Sequence, residues 1–328
     1  MVNELSSPTA QRRSAPSPDP VLSVVICAYT TERWDRLCGA VESVLAEDIA
    51  LETIVVIDHC EQLLVDAARR FDGDDRIRVI ANDEVRGLSG ARNTGMRAAL
   101  SDVVAFLDDD AVAQPGWARD LCRHYRDPTV VGVGGYATPV WPDNRPGWMP
   151  AEFDWVVGCS YIGQPTRLAP VRNPIGCNMS LRRSVVDRIG GFRSEIGRVG
   201  TTPVGCEETE LFIRLRSEHP SNRVLFDPLV RVEHYVTHDR TRLRYFVRRC
   251  YHEGISKAVV TELSGTSAGL SSERSYVRTV LPAAVVRELT SMTSDGLARA
   301  VVICLGLAVT TFGYIRATVS RRLMGRRA

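Results

Sequence analysis

The sequence predicts an α/β fold built on a mixed, mainly parallel sheet flanked by helices, and three observations carry that prediction. From Val21 onward, short apolar runs alternate with stretches of helical spacing about ten residues long, the pattern of parallel βαβ units. Tyr29, Asp58, Asn82 and Asp108–Asp110 stand where successive runs end, and sheets of this kind bind ligands beyond the carboxyl ends of their strands. Val103-Val104-Ala105-Phe106-Leu107 leads straight into Asp108-Asp109-Asp110, so a run of buried-strand character delivers carboxylates to one point.

The elements follow in order. Val21–Tyr29 reads as a strand, and Trp34–Ala46 as a helix through the spacing of Leu37, Val41, Val44 and Leu45. Ile54–Ile57 is a strand, Glu61–Phe71 a helix, Arg76–Ala81 a strand and Ser89–Leu100 a helix, ahead of the Val103–Leu107 strand. A further helix is expected over Pro115–Tyr125. Residues 127–175 carry Trp141, Trp148, Trp155 and several prolines. They read as strands and long loops over the same sheet edge, with aromatics that anchor a loop or stack on a substrate ring. Asn173–Leu181 precedes a short helical stretch, Arg182–Ile189, closed by Gly190-Gly191-Phe192. Cys206–Ser217 is a helix opening with glutamates, Val224–Phe226 and Val230–Val236 are strands, and Leu243–Leu263 is a long helix.

Composition narrows the class. The 328 residues are 44% hydrophobic and 24% charged, an ordinary globular balance, and the net charge of +2 gives no reason to expect nucleic acid. The nine cysteines are scattered and never spaced as CxxC, so free thiols in a reducing cytosol are expected rather than structural zinc or disulfides. Residues 1–20 are rich in proline, serine and polar residues and read as a disordered leader. A domain over 21–263 and a C-terminal helical region over 264–328 follow.

Five constellations bear on chemistry. Adjacent carboxylates at Asp108–Asp110 repel, by about 4 kcal/mol for a pair ~4 Å apart at an effective dielectric near 20. A divalent cation removes that cost, and oxygen ligands suit Mg²⁺ or Mn²⁺; a solvated acidic turn is the plainer reading. Glu207-Glu208-Thr209-Glu210 holds more acid than a helix start requires, and one of these groups is a candidate general base with a raised pKa. Val232-Glu233-His234 closes a strand, and His234 either completes a metal shell or serves structure. Arg242, Arg244, Arg248 and Arg249 form a basic face for a diphosphate, a phospholipid headgroup or solvent. Gly87–Gly95 is glycine-rich and opens a helix, but matches neither GxGxxG nor a P-loop. Its helix N-terminus still favours anions, with Arg92 to assist.

Ala300–Ile315 is an apolar run short of the ~20 residues that span a bilayer. Arg316, Arg321, Arg322, Arg326 and Arg327 follow it. Basic residues stay on the cytoplasmic side, so a re-entrant or interfacial contact is expected rather than a simple span. A buried C-terminal helix is the alternative.

In this order the motifs resemble those of the family 2 inverting glycosyltransferases of the GT-A fold, over about Leu22 to Lys257. Val24-Val25-Ile26-Cys27-Ala28-Tyr29 looks like the opening nucleotide-binding strand, and Val55-Val56-Ile57-Asp58 like the strand whose Asp reads the base. Arg86-Gly87-Leu88 through Arg92-Asn93-Thr94-Gly95 resembles the family's G…ARN.G helix, and Leu107-Asp108-Asp109-Asp110 its DXD motif. Gly176-Cys177-Asn178-Met179-Ser180 with Gly190-Gly191-Phe192 resembles the donor-sugar and acceptor segment, and Glu207-Glu208-Thr209-Glu210-Leu211 the ED motif, whose second residue is the base. Two positions depart: His59-Cys60-Glu61 replaces the usual Asp-Gly-Ser, and Glu208 stands where Asp is usual. No full QxxRW box or multi-span domain is present, against a processive polymer synthase.

The resemblance implies an inverting, metal-dependent transfer from a nucleotide-diphospho-sugar, expected to be a UDP-sugar, to a hydroxyl of a polyprenyl-phosphate-linked or cell-envelope glycan. The implied site has Glu208 and Glu207 as catalytic residues. Tyr29, Asp58, Arg92, Asn93, Asp108, Asp109, Asn178, Arg248 and Arg249 bind the donor, and Asp108, Asp110 and His234 hold Mg²⁺ or Mn²⁺. The expected place is the cytoplasmic face of the membrane. A non-catalytic nucleotide-sugar or carbohydrate-binding module on the same fold is one rival. A sugar-nucleotide nucleotidyltransferase is a weaker one, since Tyr29-Thr30-Thr31-Glu32-Arg33 stands where its glycine-rich basic loop belongs.

Overall fold

The structure is a computed structural model and describes residues 21–47, 49–194, 205–264 and 271–325. The leader over 1–20 and the terminal Arg326 and Arg327 lie outside the described residues. The chain opens as β1 (Leu22–Ala28), α1 (Trp34–Leu45), β2 (Ala50–Ile57), α2 (Glu61–Arg70), β3 (Ile77–Ala81), α3 (Leu88–Ala98) and β4 (Val103–Asp108). These four strands run parallel, as the apolar runs and the intervening helical spacing predict. Then come β5 (Ala111–Ala113), α4 (Trp117–Cys122), β6 (Val130–Val140), β7 (Ala169–Pro170), β8 (Asn178–Arg182), α5 (Arg183–Ile189), α6 (Glu207–Glu218) and β9 (Arg223–Tyr235).

All strands join one sheet, in the order β3-β2-β1-β4-β8-β6-β9-β5, with β7 along the outer part of β9. β8 runs antiparallel to β4 and makes the sheet mixed. The apolar pattern assigns no strand there because Asn178 and Ser180 interrupt it. Both are buried, and each is satisfied by hydrogen bonds to neighbouring groups. The strands expected over 224–226 and 230–236 are one element, β9, whose pairing with β6 shifts register between Gly135 and Tyr136. Pro228, which has no N–H to give a ladder, lies at that break.

The sheet is buried on both faces. Leu37, Val41 and Trp117 pack on one side, and Phe106, Met179 and Phe212 on the other. A third cluster lies beyond the sheet and holds Phe153, Phe246, Cys250, Val302 and Ile303. It is formed by residues 151–157 with α7 (Leu243–Ser264), α8 and α9 (Ser294–Gly325). α8 comprises Ser271–Ser275, a π-helical turn at Tyr276–Val280, and Leu281–Thr290.

α9 is not a free anchor. Its inner face lies along α7, where small residues allow backbone contact. A Cβ at Gly254 would lie 2.1 Å from the Thr310 carbonyl oxygen, and one at Gly313 would lie 2.3 Å from that of Tyr251. Its outer face carries Leu297, Val301, Cys304, Ala308, Phe312, Ile315, Val319 and Leu323, all exposed and spaced by three and four residues. Ser294–Arg321 is long and apolar enough to cross a membrane, with a mean hydropathy of 1.8 over its best window. Gly254→Val should wedge α7 from α9 and cost ~1–3 kcal/mol, read as a lower denaturation midpoint. An unchanged midpoint would contradict the close seam.

Candidate active site

The acidic group is assembled by strand register. β4 ends at Asp108, beside Cys27 of β1. β5 pairs with β9 so that Ala111 lies opposite His234, which brings the imidazole to Asp110, Nε2 to Oδ1 at 3.1 Å. Asp108, Asp110 and His234 each offer a ligand atom, and these atoms lie within 4.8 Å of one another. Oδ2 of Asp109 and Oδ2 of Asp110 are buried without a hydrogen-bond partner. Two carboxylates and an imidazole fit a divalent cation, and Asp110 Oδ2 has ion pairs but no hydrogen bond to hold it against one.

Two arginines offset the acidic charge. Arg33 Nη1 lies 2.9 Å from Asp109 Oδ1 and 3.1 Å from Asp110 Oδ2, and Arg240 lies 3.5 Å from Asp110 Oδ2. Burial pushes the Asp109 carboxyl up, with the neighbouring Asp110 charge adding, to about 7 despite Arg33. Burial also opposes ionisation of Asp110, but His234, Arg240 and Arg33 outweigh it and hold this group well below the usual carboxylate range. For His234, burial works against the charged form, yet Asp110 raises the imidazole to about 10. A cation bound here must therefore displace a proton from His234.

The second carboxylate group opens α6, where Cys206 adopts a left-handed backbone at φ 76°. Glu207 turns inward, and its Oε1 accepts from Arg92 Nη1 at 3.1 Å. The same guanidinium reaches Asp108 Oδ1 at 3.5 Å and donates to the Gly176 carbonyl at 3.1 Å. Arg92 is 2% exposed and ties Asp108 to Glu207 at the start of α6. Glu207 and Glu208 both line a cavity of about 530 Å³, together with Asp108, Asp110 and His234. Burial first, then the charge of Glu207, pushes the Glu208 carboxyl up to about 7, with Arg92 opposing. A carboxyl raised by burial beside an acidic cluster is suited to taking a proton near neutrality.

The remaining predicted residues are placed unevenly. Arg249 lines the cavity while Arg248, its neighbour, is exposed. Asp58 accepts from Asn82 Nδ2 at 2.7 Å and from the Gly87 N–H at 3.0 Å, bracing the loop that starts α3. Tyr29 follows β1 and lies 5.6 Å from the Arg33 guanidinium. Asn93 is turned away from the cavity, donating to the Phe192 carbonyl at 2.9 Å and accepting from its N–H at 2.8 Å. Asn178 is spent within the fold, accepting from Trp117 Nε1 at 2.9 Å and donating to the Val230 carbonyl at 2.9 Å. Asp109 faces Arg33 rather than the metal cluster.

Sequence reasoning did not find Arg33, Arg240, Arg172, Glu253 or Glu273 at the cavity wall. Only the Arg249, Glu253, Lys257 spacing of four carried a readable signal, the spacing of helical ion pairs.

Residues 23–190 match the model of the family described as Glycosyl transferase family 2. The chain is 33% identical over 309 residues to a glucosyl-dolichyl phosphate glucuronosyltransferase of Haloferax volcanii, covering 92% of this chain and 98% of that protein. It is 27% identical over 202 residues to a pre-mycofactocin glycosyltransferase of Mycobacterium tuberculosis, covering 61% of this chain and 41% of that one. Among solved structures, the fold is similar to a mannosyltransferase of Pyrobaculum calidifontis in complex with GDP-Man and Mn²⁺, with TM-score 0.57, 15% identity, and 92% and 88% of the two chains covered. It is also similar to GalNAc-T7 with UDP, GalNAc and Mn²⁺, with TM-score 0.52, 16% identity, and 84% and 58% covered.

Proposed function

The chain belongs to glycosyl transferase family 2, and from that premise we propose that it moves a sugar, with inversion, from a nucleotide-diphospho-sugar to a hydroxyl of a glycan linked to a polyprenyl or dolichyl phosphate. The carrying observation is that a cation-type cluster and a carboxylate poised near neutrality share one cavity. The Haloferax volcanii relative, whose name gives a dolichyl-phosphate-linked sugar as acceptor, supports the lipid-linked part. The donor is a UDP-sugar in this proposal, with Asp58 and Tyr29 on the base side.

Asp108, Asp110 and His234 would hold a divalent cation, Mg²⁺ or Mn²⁺. When bound, it supplies neutralisation of the diphosphate leaving group. Arg92 fixes Asp108 and Glu207 relative to each other, so the donor and acceptor sides keep register. Glu208 takes the proton of the acceptor hydroxyl as that oxygen bonds to the anomeric carbon. The bond from that carbon to the phosphate oxygen breaks on the opposite face, and its electron pair leaves with the nucleoside diphosphate.

A screen of nucleotide-sugars with Mn²⁺ or Mg²⁺, read by thermal shift and nucleotide release, tests this. One donor should stabilise the protein and turn over only with metal. Stabilisation without turnover would instead favour a non-catalytic binding module.

We assign membrane contact to the outer face of α9, supported by its apolar stripe. The Arg316 and Arg321 end is proposed to meet headgroups at the cytoplasmic face. Val301→Asp with Phe312→Asp alters only exposed positions. This double change should move the protein from the membrane pellet to the supernatant with its melting point kept; continued pelleting would contradict the assignment.

A further inference from the structure

Val157, Gly158 and Cys159 line the cavity beside Asp108, Asp110 and His234, and none of them belongs to the cation cluster itself. Val157 ends the helical turns over 151–157, and Gly158 follows in the left-handed region at φ 85°. The turn is held from both ends. Gly158 and Cys159 donate their N–H groups to the carbonyls of Trp155 and Asp154, at 3.1 Å each. Ser160 then fastens to β6: its N–H donates to the Ala137 carbonyl at 2.9 Å, and its Oγ accepts from the Ala137 N–H at 3.0 Å. Two residues further along β6, Pro139 stands opposite His234 of β9. The turn and the imidazole are thus carried by one pair of strands, and neither can drift from the other while β6 and β9 stay paired.

Three contacts lead from this turn to the cluster. Arg240, which pairs with Asp110, donates to the Val157 carbonyl at 3.4 Å. Gly158 abuts the ring of His234, where a Cβ would lie 3.1 Å from Cε1 and 3.5 Å from Nε2. Cys159 Sγ lies 3.5 Å from Nδ1 of the same ring. The two imidazole nitrogens therefore have separate neighbours. Nε2 is turned to Asp110, and Nδ1 to the thiol. Cys159 and His234 are both buried. Asp110 Oδ2, buried in ion pairs but without a hydrogen bond, is the independent sign that the cluster is built for a ligand.

We propose that Cys159 is a positioning residue for the cation site, holding the His234 imidazole so that Nε2 faces the cation. An imidazole that ligates through one nitrogen keeps its proton on the other, and that buried N–H needs an acceptor. The sulfur of Cys159 is placed to accept from Nδ1–H. A thiol does this without adding a further negative charge behind the aspartates. Gly158 supplies the second constraint, since any side chain there would press on the ring. The inference rests on the cation site of the transferase reading above and deepens it by one residue that touches neither metal nor substrate.

The test uses the full chain in detergent and titrates Mn²⁺ in the presence of excess UDP, with free Mn²⁺ read by electron paramagnetic resonance. Loss of the outer partner of a metal-ligating histidine costs about 10–100-fold in metal affinity. Cys159→Ala should therefore weaken Mn²⁺ binding at least ~10-fold. Cys159→Ser restores an acceptor and should recover most of that loss. In a His234→Gln background, Cys159→Ala should change the affinity by no more than roughly twofold, because the thiol acts only through that ring. Circular dichroism checks that each variant is folded. If Cys159→Ala is not, Cys159→Val, which also lacks an acceptor, takes its place. Unchanged affinity without the thiol, equal weakening by the alanine and serine variants, or the same loss with and without His234 would each overturn the proposal. Metal-dependent nucleotide release by the unaltered protein, measured alongside, keeps the two readings apart. Release with an Mn²⁺ affinity indifferent to Cys159 sinks the positioning role alone, whereas no bound Mn²⁺ and no release from any donor sinks the transferase reading with it.

Discussion

Glu208→Gln is expected to lower sugar transfer by roughly 10²–10⁴-fold, the range for loss of a positioned general base. Gln keeps the side-chain length and a polar tip but takes no proton. Glu208 is outside the Asp108, Asp110 and His234 cluster, so the loss should fall on kcat, with the donor KM little changed. The unaltered protein should show a matching pH profile. Its Glu208 carboxyl, raised to about 7 by burial and by Glu207, is protonated and inactive as a base below that value. Transfer should therefore fall about tenfold per pH unit on the acid side and level off above neutrality. Initial rates from about pH 5 to 9 check this, and the Gln variant should lack the acid limb. A variant that keeps full rate would remove Glu208 from the chemistry.

The second large effect is expected at the aspartate cluster. Asp110→Asn removes one carboxylate of the proposed cation site and leaves Arg33, Arg240 and a protonated His234 without their shared counter-charge. A divalent cation at a leaving diphosphate contributes several kcal/mol, and each ~1.4 kcal/mol is a factor of ten. Loss of at least ~100-fold in metal-dependent nucleotide release follows, with thermal stabilisation by Mn²⁺ lost as well. In the proposed site His234 gives up a proton to ligate, so the Mn²⁺ concentration giving half-maximal activity should fall as pH rises. Retained metal response in Asp110→Asn would place the cation elsewhere.

The parts of this fold legible in the sequence are those that declare themselves locally. β1, β2 and β4 carry the apolar runs Val24–Ile26, Ile54–Ile57 and Val103–Leu107, which are buried throughout. β8 was hidden because Asn178 and Ser180 are buried polar residues with partners in other elements, and no local pattern reveals a partner. The proximity of His234 to Asp110 is a fact of β5–β9 register and lies far apart in sequence. The basic run of α7 shows the same limit: spacing grouped Arg248 with Arg249, but only the docking of α7 decides that Arg249 faces the cavity and Arg248 faces water. The apolar run over 300–315 declared an unusual helix. It could not show that α7 already covers one side of it.

That covered side bears on how the molecule is prepared. A hydrophobic C-terminus invites removal to obtain a fragment that stays in solution. Here the cut would strip Val302, Ile303 and Leu307 from Phe153 and Phe246. It would also open the narrow seam at Gly254 and Gly313. The shortened chain would trade one greasy surface for another and lose a wall of its own cavity. A surfactant that coats the outer stripe and leaves α9 in place is the gentler route to a dispersed, intact protein.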